Sequence, residues 1–254
     1  EVTEFYFLGE DGVRIVGEVE NVGPGLTRNL IVRASAGDYV TSCKPGMEGD
    51  GIRAAFTVTD AGGDAEAASD DAALLTAATD QYRGYVRTES SELLEKTKQF
   101  AALVTSGDDD GARALYADAR THWERIEPVA ESFGDLDPRL DLREADLEQG
   151  QEWTGWHRLE KELWPPDGGT PLTAEERTAL AEQLVTDTEE LDSRVQELTY
   201  DATQLGNGAK ELLDEVATGK ITGEEEVWSH TDLWDFQANV DGARAAFEAL
   251  ESVV

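Results

Sequence analysis

The chain has 254 residues and carries 55 acidic against 21 basic side chains, which gives a formal net charge of -34 at pH 7. A field of this sign repels phosphate and attracts cations, so nucleic acid and anionic membrane surfaces are excluded as favoured partners. Cys43 is the single cysteine, which excludes an internal disulfide, and no run reaches the roughly 20 apolar residues that span a bilayer, so we expect no direct membrane insertion.

The acidic residues are scattered through the chain rather than gathered in one tail. A pervasive acidic surface is typical of proteins that stay hydrated in concentrated salt, where charge repulsion is screened over about 3 Å at 1 M. This composition predicts a halophilic source. The first residues read as a strand, so we expect any export signal to have been removed or to lie outside this sequence.

Residues 1–60 are predicted to form a small, partial β-sandwich. Stretches rich in Val, Ile and Phe, separated by turn residues, predict strands at residues 2–8, 13–19, 27–34 and 52–58. Cys43 and Met47 resemble the soft-ligand loop of a copper site, but a blue-copper centre also needs two histidines, and residues 1–60 contain none. The Gly- and Ala-rich stretch 61–68 is predicted to be a linker.

Residues 69–254 are predicted to form an antiparallel helical bundle, because apolar residues recur there at three- and four-residue steps. The first helix is predicted to end at the turn 107–111, the second to carry an apolar face over residues 115–130, and the third to span residues 144–163. The fourth begins at a capping box, residues 173–176, and its apolar stripe continues to residue 205. A short helix at 209–217 and a last helix with an apolar face over 233–250 follow. The predicted fold class is thus mainly α, and we expect both the strand region and the bundle to be incomplete at the chain ends.

Two pairs of candidate metal ligands are spaced three residues apart. Glu124 and Glu127 stand in the run His-Trp-Glu-Arg-Ile-Glu-Pro, and His157 and Glu160 stand in the run Gly-Trp-His-Arg-Leu-Glu. On a helix this spacing places both side chains on one face, one turn apart, where they can converge on one ion. The Gly- and Pro-containing stop between the two runs predicts a chain reversal that brings them together.

Each pair also has a purely structural interpretation. Glu124 can pair with the nearby Arg120, and H-x-x-E pairs occur by chance on many acidic helices. Pro128, placed within the predicted second helix, removes one helical hydrogen bond and predicts a kink beside Glu124 and Glu127. Such a kink is tolerated more readily where it aims the two carboxylates at a ligand.

Asp141, Glu224 and Glu225 are weaker candidates, and Asp235 has a structural explanation. Asp141 follows a turn and is more often a cap or a surface acid. Glu225, beside Glu224, stands three residues after Thr222, which is the spacing of a capping box and a sufficient structural explanation. Asp235 lies in the first turn of the last helix and is interpreted as a charge that complements the helix dipole.

Hydrolytic chemistry has little support in the sequence. The H-E-x-x-H signature of zinc proteases and the G-x-S-x-G signature of serine hydrolases are both absent, and Cys43 has no histidine in its segment. We therefore predict that the chain is not an enzyme.

Four motifs in register, at residues 122–128, 155–160, 222–225 and 229–240, resemble iron-uptake proteins of the EfeO type within the imelysin, or M75 peptidase-like, family. The order and spacing match along nearly the whole chain, and the N-terminal part is similar to the later strands of a cupredoxin domain. The resemblance implies an imelysin-like helical bundle preceded by a cupredoxin-like β region. It carries no established proteolysis despite the family name.

The resemblance also implies an exported protein, periplasmic or at the cell surface, that captures iron and works with a membrane iron permease and a haem peroxidase-like Efe partner. It places the metal-binding acids at Glu124, Glu127, Asp141 and one of Glu224 and Glu225, with His157 and Glu160 as a second or supporting cluster. A further site of one acid and one cysteine falls on Glu4 and Cys43. Carboxylates suit ferric iron, histidine widens the choice to ferrous iron or zinc, and the cysteine leaves copper open.

Two other functions stay open at this point. A metallopeptidase using His157 and Glu160 predicts proteolysis that chelators abolish. A polysaccharide- or surface-binding module, in which the acids are only a salt-adapted coat, predicts that metal ions do not raise the melting temperature. A ligand that binds the native state must raise it by mass action.

Overall fold

The computed structural model describes residues 3–46, 49, 51–59, 68–147, 150–218, 220 and 223–251. The β region is one antiparallel sheet in the order β2-β1-β3-β4, formed by β1 (Thr3–Leu8), β2 (Ile15–Val22), β3 (Gly37–Pro45) and β4 (Ile52–Val58). The described residues thus supply one layer of the predicted sandwich. The predicted linker, 61–68, lies outside the described residues except for Ala68, which begins the first helix.

The strand predicted at residues 27–34 is wrong, because residues 26–35 have no regular structure and the third strand follows them. The side chain of Asn207, from α6 of the bundle, forms the backbone hydrogen bonds here that a neighbouring strand would otherwise form. It accepts a hydrogen bond from the Arg33 N–H and donates one to the Arg33 carbonyl, each at 3.3 Å. The alternating pattern of this stretch predicted a strand from its residue preferences, but the hydrogen bonds to Asn207 hold it in an irregular conformation.

Helices make up most of the remaining described chain, which confirms the mainly α fold class. It comprises α1 (Ala68–Ser106), α2 (Asp109–Glu124), α3 (Leu136–Asp141), α4 (Gly155–Leu163), α5 (Ala174–Glu197), α6 (Ala202–Thr218) and α7 (Asp232–Leu250), with short 3-10 helices at Glu127–Phe133 and Glu144–Asp146. Helix α1 packs along α2 and α5, and α6 packs on α7. The shared core includes Tyr82, Leu93, Phe100, Tyr116, Trp123, Trp156, Leu184 and Leu191, and burying one Leu or Phe side chain stabilises the fold by about 1.5–3 kcal/mol. No helix in the described part of the chain is long and apolar enough to cross a membrane.

The helix predicted over residues 144–163 is wrong in its first half, since α4 begins only at Gly155. Gly155 has a φ of 84°, and a Cβ there would lie 2.2 Å from the Leu140 carbonyl oxygen. Only glycine tolerates both conditions. The hydroxyl of Thr154 donates to the Arg139 carbonyl at 2.9 Å, so the chain returns directly against α3 before it becomes helical again.

The capping box at the start of α5 is confirmed. The Thr173 hydroxyl accepts from the Glu176 N–H at 3.2 Å, and the Glu176 carboxylate accepts from the Thr173 N–H at 2.8 Å. The stripe of α5 does not continue to residue 205 as predicted. Asp201 accepts from the Gln204 N–H at 2.8 Å, a capping contact that starts α6 as a separate and longer helix than the one predicted.

The buried face of α7 matches the predicted one only in part, since Ala243 and Leu250 of the predicted face contact the core but three of its large residues are exposed. Leu233, Val240 and Phe247 of the predicted face are 78%, 42% and 61% exposed. The buried face consists of small and polar residues, namely Asp235, Ala238, Asn239, Gly242, Ala243, Ala246 and Ala249. A Cβ on Gly242 would lie 2.3 Å from the Arg125 carbonyl oxygen. Helix α7 therefore approaches the end of α2 too closely for large apolar side chains to lie between them.

Candidate metal centre

Pro128 determines where Glu124 and Glu127 point. The predicted kink is instead a stop, because α2 ends at Glu124 and a 3-10 helix begins at Glu127. Proline has no N–H to donate to the carbonyl four residues earlier, which is that of Glu124. Asn239 of α7 donates to this carbonyl at 3.1 Å. The turn that carries both glutamates is therefore held against α7.

A close approach of α6 fixes the other side of this turn. A Cβ on Gly208 would lie 1.9 Å from the Pro128 carbonyl oxygen, so any larger residue would push the helix away. Together with Gly242 of α7, Gly208 allows two helices to approach the turn at backbone distance. The sequence thus shapes the position of the two glutamates through backbone contacts as well as side chains.

Lys220 and Asn239 donate to the two glutamates. The Lys220 ammonium lies 2.7 and 2.8 Å from the Glu127 carboxylate oxygens and 3.4 Å from that of Glu124. The Asn239 side-chain nitrogen lies 2.9 Å from Glu124 and 2.6 Å from Glu127. The side chain of Glu124 is fully buried, whereas 17% of that of Glu127 is exposed, so Glu127 is the outer member of the pair.

Arg120, one helical turn before Glu124, is a fully buried cation among carboxylates. Its guanidinium pairs with Glu124 and Asp141. It also lies 2.5 Å from Glu226 and 3.8 Å from Asp235. Burial lowers the pKa of Arg120, but these carboxylates outweigh burial and raise it well above its ordinary value. Burial and Glu124 likewise raise the pKa of Asp235 well above its usual range, against the opposing effect of Arg120.

Asp141, His157 and Glu225, which we call the open triad, converge beside Arg120. Nε2 of His157 lies 3.4 Å from Oδ1 of Asp141 and 3.6 Å from Oε1 of Glu225. Trp123 donates to Oδ2 of Asp141 at 2.8 Å, and Oδ1, which faces the histidine, accepts from Arg120. His157 is 1% exposed, and its Nε2 has no hydrogen-bond partner within the described chain. The three ligand atoms lie within 4.8 Å of one another, a spacing that suits one metal ion.

His157, Glu160 and Glu226 form a second group of possible ligands, which we call the closed triad. Oε1 of Glu160 accepts from the backbone N–H groups of Trp228 and Ser229 at 3.1 and 2.7 Å. Oε2 of Glu160 lies 3.4 Å from Nδ1 of His157, and Glu226 accepts from the Ser229 hydroxyl at 2.8 Å. Glu160 is held in place by the two backbone N–H groups, so it is suited to orient the imidazole ring through Nδ1.

The surrounding charges set the protonation of the open triad. Burial and Arg120 lower the pKa of His157, but the neighbouring carboxylates outweigh both and raise it to about 10. Burial raises the pKa of Glu225, but Lys220 and His157 hold it well below its usual range. At neutral pH the histidine thus carries a proton that a bound metal ion would replace, and Glu225 is an ionised carboxylate.

Asp141 and Glu225 of the open triad also line an acidic cavity of about 410 Å³ between the sheet and the bundle. Other acidic side chains on its wall include Glu4 of β1, Asp137 of α3 and Glu211 of α6. Burial raises the pKa of Asp137 and of Glu211, each to about 7. A wall of this composition concentrates cations beside the open triad.

Most of the predicted metal ligands therefore lie in one region. The open triad contains Asp141, His157 and Glu225, the closed triad adds Glu160, and Glu124 and Glu127 lie beside Arg120 and Lys220. Glu224 is outside both triads, with half of its side chain exposed and a carboxylate oxygen 3.6 Å from Arg143. Thr222, on which the capping-box explanation of Glu225 depends, lies outside the described residues.

The structure does not bring Glu4 and Cys43 together. In the register of β1 and β3, Glu4 pairs with Lys44 and Phe5 pairs with Cys43. Directly opposed residues share a face of the sheet and successive residues alternate, so Glu4 and Cys43 point to opposite faces. Glu4 faces the acidic cavity. Met47, the other residue of the copper-like loop, lies outside the described residues.

Sequence reasoning missed Lys220, Glu226 and Asn239. Lys220 stands between glycines and threonines, a context typical of an exposed turn, so no signal marked its burial. Asn239 can be identified as the donor to the Glu124 carbonyl only once it is known that Pro128 ends α2 and leaves this carbonyl without a helical N–H. Asp235 was interpreted as a helix-dipole charge, which accounts for its place in the first turn of α7 but not for its complete burial.

Comparison with known proteins points the same way. The family model of imelysin, peptidase M75, matches residues 78–254. The chain is 40% identical over 243 residues to proteins named iron uptake system component EfeO from Escherichia coli (strain K12) and Shigella flexneri, over 94% of this chain and 62% of each relative. The chain thus spans somewhat less than two thirds of the length of these relatives, which are named for iron uptake and not for peptide cleavage. The predicted resemblance is confirmed, and the chain belongs to the imelysin (M75 peptidase) family.

Proposed function

We propose that this chain is the iron-binding component of an iron-uptake system and that the open triad holds the ion. Nε2 of His157 carries the proposal: it is buried, has no hydrogen-bond partner in the described chain, and lies 3.4 and 3.6 Å from the carboxylates of Asp141 and Glu225. These distances allow ion pairing but only weak hydrogen bonds. One cation placed among the three atoms could instead bond to each of them at about 2.0–2.2 Å, as in protein zinc sites.

The other predicted ligands take supporting positions in this proposal. Glu160 fixes the ring of His157 through Nδ1, as outer carboxylates commonly do for metal-bound histidines. Glu127 lies on the wall of the acidic cavity, so it is the carboxylate that an incoming ion meets, with Glu124 behind it. Glu225 rather than Glu224 is the ligand, because only Glu225 is buried and faces the histidine.

Carboxylate and imidazole donors together suit iron in either oxidation state. Zinc accepts the same donors and belongs in the same tests. We propose no copper site in the β region, because Glu4 and Cys43 point to opposite faces of the sheet. In this proposal, iron is the cargo of the protein and not a resident cofactor.

The role in transport rests on the name of the relatives, which are components of an iron uptake system. We propose that this chain is exported and delivers its iron to a membrane permease, in a system that includes a haem peroxidase-like partner. Peptidase chemistry is not part of the proposal, since the H-E-x-x-H signature is absent from the sequence. The halophilic source stays a prediction from the charge.

Titration calorimetry of the full chain with ferrous iron, under anaerobic conditions in concentrated potassium chloride, tests the site. We expect one ion to bind per chain and His157→Gln to weaken binding at least about tenfold, the smallest loss typical of a perturbed metal site. His122→Gln is the matched control, because His122 lies in the same bundle and bonds to Glu89 at 2.6 Å, outside both triads. No binding by the wild type, or equal losses in both variants, would remove the basis of the proposal.

A second matched pair separates the two neighbouring glutamates. Glu225→Gln removes a ligand from the open triad, whereas Glu224→Gln changes a half-exposed side chain next to it. We expect only the first substitution to weaken iron binding. Weakening by Glu224→Gln alone would transfer the ligand role to the exposed neighbour and would contradict the geometry proposed for the site.

A further inference from the structure

We propose that the ammonium group of Lys220 is a resident counter-cation that an arriving metal ion displaces from Glu124 and Glu127. The inference rests on the proposed function, since it concerns how the same region exchanges its charge. Nζ of Lys220 lies 2.7 Å from Glu127, 3.4 Å from Glu124 and 4.0 Å from Glu225. The ammonium is thus placed where three carboxylates converge, and its side chain is 1% exposed.

These carboxylates require a cation. Glu124 is fully buried and Glu225 is 5% exposed. Arg120 pairs with Glu124 but also with Asp141 and Glu226, so its single charge does not balance all of these carboxylates, and a buried carboxylate without a counter-charge strongly destabilises a fold. The Asn239 amide donates hydrogen bonds to Glu124 and Glu127 but brings no charge. Because Glu225 belongs both to the open triad and to this group, a metal ion there would add charge close to the ammonium. Two neighbouring cations in a buried site repel each other strongly, so the cation that is held less firmly, here the Lys220 ammonium, is displaced.

Lys220 is held by fewer structural constraints than Arg120. Arg120 lies inside α2, and its planar guanidinium pairs with carboxylates from α2, α3 and the segment before α7. Lys220 follows α6 and lies outside the α-helices, and its ammonium is a compact charge on a flexible four-carbon stem. The acidic cavity offers the displaced ammonium further carboxylates, because Asp137 and Glu215 on its wall already interact electrostatically with Lys220.

A counter-cation and a purely structural lysine predict opposite changes in metal affinity. If Lys220 only holds Glu124 and Glu127 in place, its removal lets them move and weakens metal binding. If it competes with the metal ion, Lys220→Met removes the competitor and strengthens metal binding, while the protein without metal becomes less stable. Lys220→Arg keeps the charge and adds forked donors, so it should bind metal no more tightly than the wild type.

The experiment compares the full chain with its Lys220→Met and Lys220→Arg variants, titrated with ferrous iron under anaerobic conditions and with zinc as a redox-inert probe, at one high salt concentration. We expect Lys220→Met to bind both ions about tenfold more tightly or better, with a larger metal-induced rise in melting temperature. A folded Lys220→Met variant that binds equally or more weakly overturns the counter-cation while leaving the proposed function intact. A wild type that binds neither ion overturns the proposed function and this inference with it.

A measurement on the wild type keeps the proposal testable if Lys220→Met does not fold. Acetylation of lysines, followed residue by residue with peptide mass spectrometry, reports how accessible each ammonium is. We expect Lys220 to react faster when iron or zinc is bound, because its ammonium leaves a site where the side chain is 1% exposed. Lys210, half exposed and paired with Asp214, is the control that should not change. Unchanged or slower reaction of Lys220 in the presence of metal overturns the proposal.

Discussion

The two sides of Arg120 contain the same kinds of residues but are completed differently. On the inner side, Glu160 and Glu226 are fully buried and accept from protein donors, among them two backbone N–H groups and a serine hydroxyl. On the cavity side, Glu225 borders the acidic cavity and Nε2 of His157 has no hydrogen-bond partner in the described chain. Burial and charge are therefore poor criteria for separating a structural carboxylate from a ligand. Carboxylates on both sides accept from protein donors, since Asp141 accepts from Arg120 and Trp123 and Glu225 accepts from Arg143. The unpartnered Nε2 of His157 is therefore what distinguishes the cavity side.

The largest effect is expected from removing Arg120, the cation that pairs with carboxylates on both sides. Arg120→Met would leave Glu124, Asp141 and Glu226 buried without their guanidinium partner. Removing one member of a buried ion pair typically costs about 3–5 kcal/mol, and we expect a loss of that size in the free energy of unfolding. Urea denaturation in concentrated salt, without metal, measures it.

A surface arginine supplies the control for this change. Arg244 is 62% exposed at its side chain and pairs with Asp241 at 2.9 Å, so Arg244→Met should alter the free energy of unfolding by no more than about 0.5 kcal/mol. If Arg120→Met were as mild as Arg244→Met, the buried network around Arg120 would contribute no more than surface ion pairs do.

Glu160→Gln sharpens the comparison by changing only the support of the histidine. The glutamine oxygen can still accept from the backbone N–H groups of Trp228 and Ser229, but the side chain loses the charge that faces Nδ1 of His157. Loss of such an outer partner typically lowers metal affinity about 10- to 100-fold, and we expect an effect in that range by calorimetry with ferrous iron. Glu189→Gln, at a half-exposed surface pair with Lys98, should have no effect. Unchanged affinity in Glu160→Gln would show that the ring is held by other contacts.

The contrast between the two sides also shows what a sequence can predict. The three-residue spacing predicted His157 and Glu160 as candidate ligands and the family resemblance added Asp141, because residue types and their spacing can be taken directly from the chain. Lys220 carried no comparable signal, since its burial depends on three carboxylates contributed by distant segments. A role that arises from tertiary convergence is invisible to local patterns.

The same limit explains the errors in the helices. Pro128 was correctly identified as a disruption of α2, but whether a proline kinks or ends a helix depends on which group satisfies the freed carbonyl, and here that group belongs to Asn239 of α7. The large apolar residues of α7 predicted its buried face, yet the packing distance at Gly242 admits only small side chains there. Both outcomes are decided by a neighbouring helix and not by the segment itself.

On the cavity wall, removing a negative charge should stabilise the fold instead of weakening it. Burial raises the pKa of Glu211 from 4.5 to about 7, against the hydrogen bond that its carboxylate accepts from the Glu18 N–H. Between these pH values the folded state binds more protons than the unfolded state, so stability falls as the pH rises, and the full penalty remains above pH 7. Glu211→Gln can keep the same hydrogen bond without the charge. We expect it to raise the free energy of unfolding by about 1–3 kcal/mol at pH 8 and to have no such effect at pH 4, in urea titrations at both values. A destabilised variant at pH 8 would show that the charge on this wall is needed for folding.

The smallest expected effect tests whether metal binding reports the site or only the stability of the whole bundle. Thr173 and Glu176 form the capping box of α5, outside both triads, and Thr173→Ala removes the side-chain half of it. Loss of such a cap typically costs about 1 kcal/mol, so the urea midpoint should fall while the iron affinity measured by calorimetry stays at the wild-type value. Glu160→Gln, in contrast, should lower the iron affinity, because it changes the support of His157. If Thr173→Ala weakened iron binding as much as Glu160→Gln does, affinity would follow global stability, and the distinction between the two sides of Arg120 would lose its meaning.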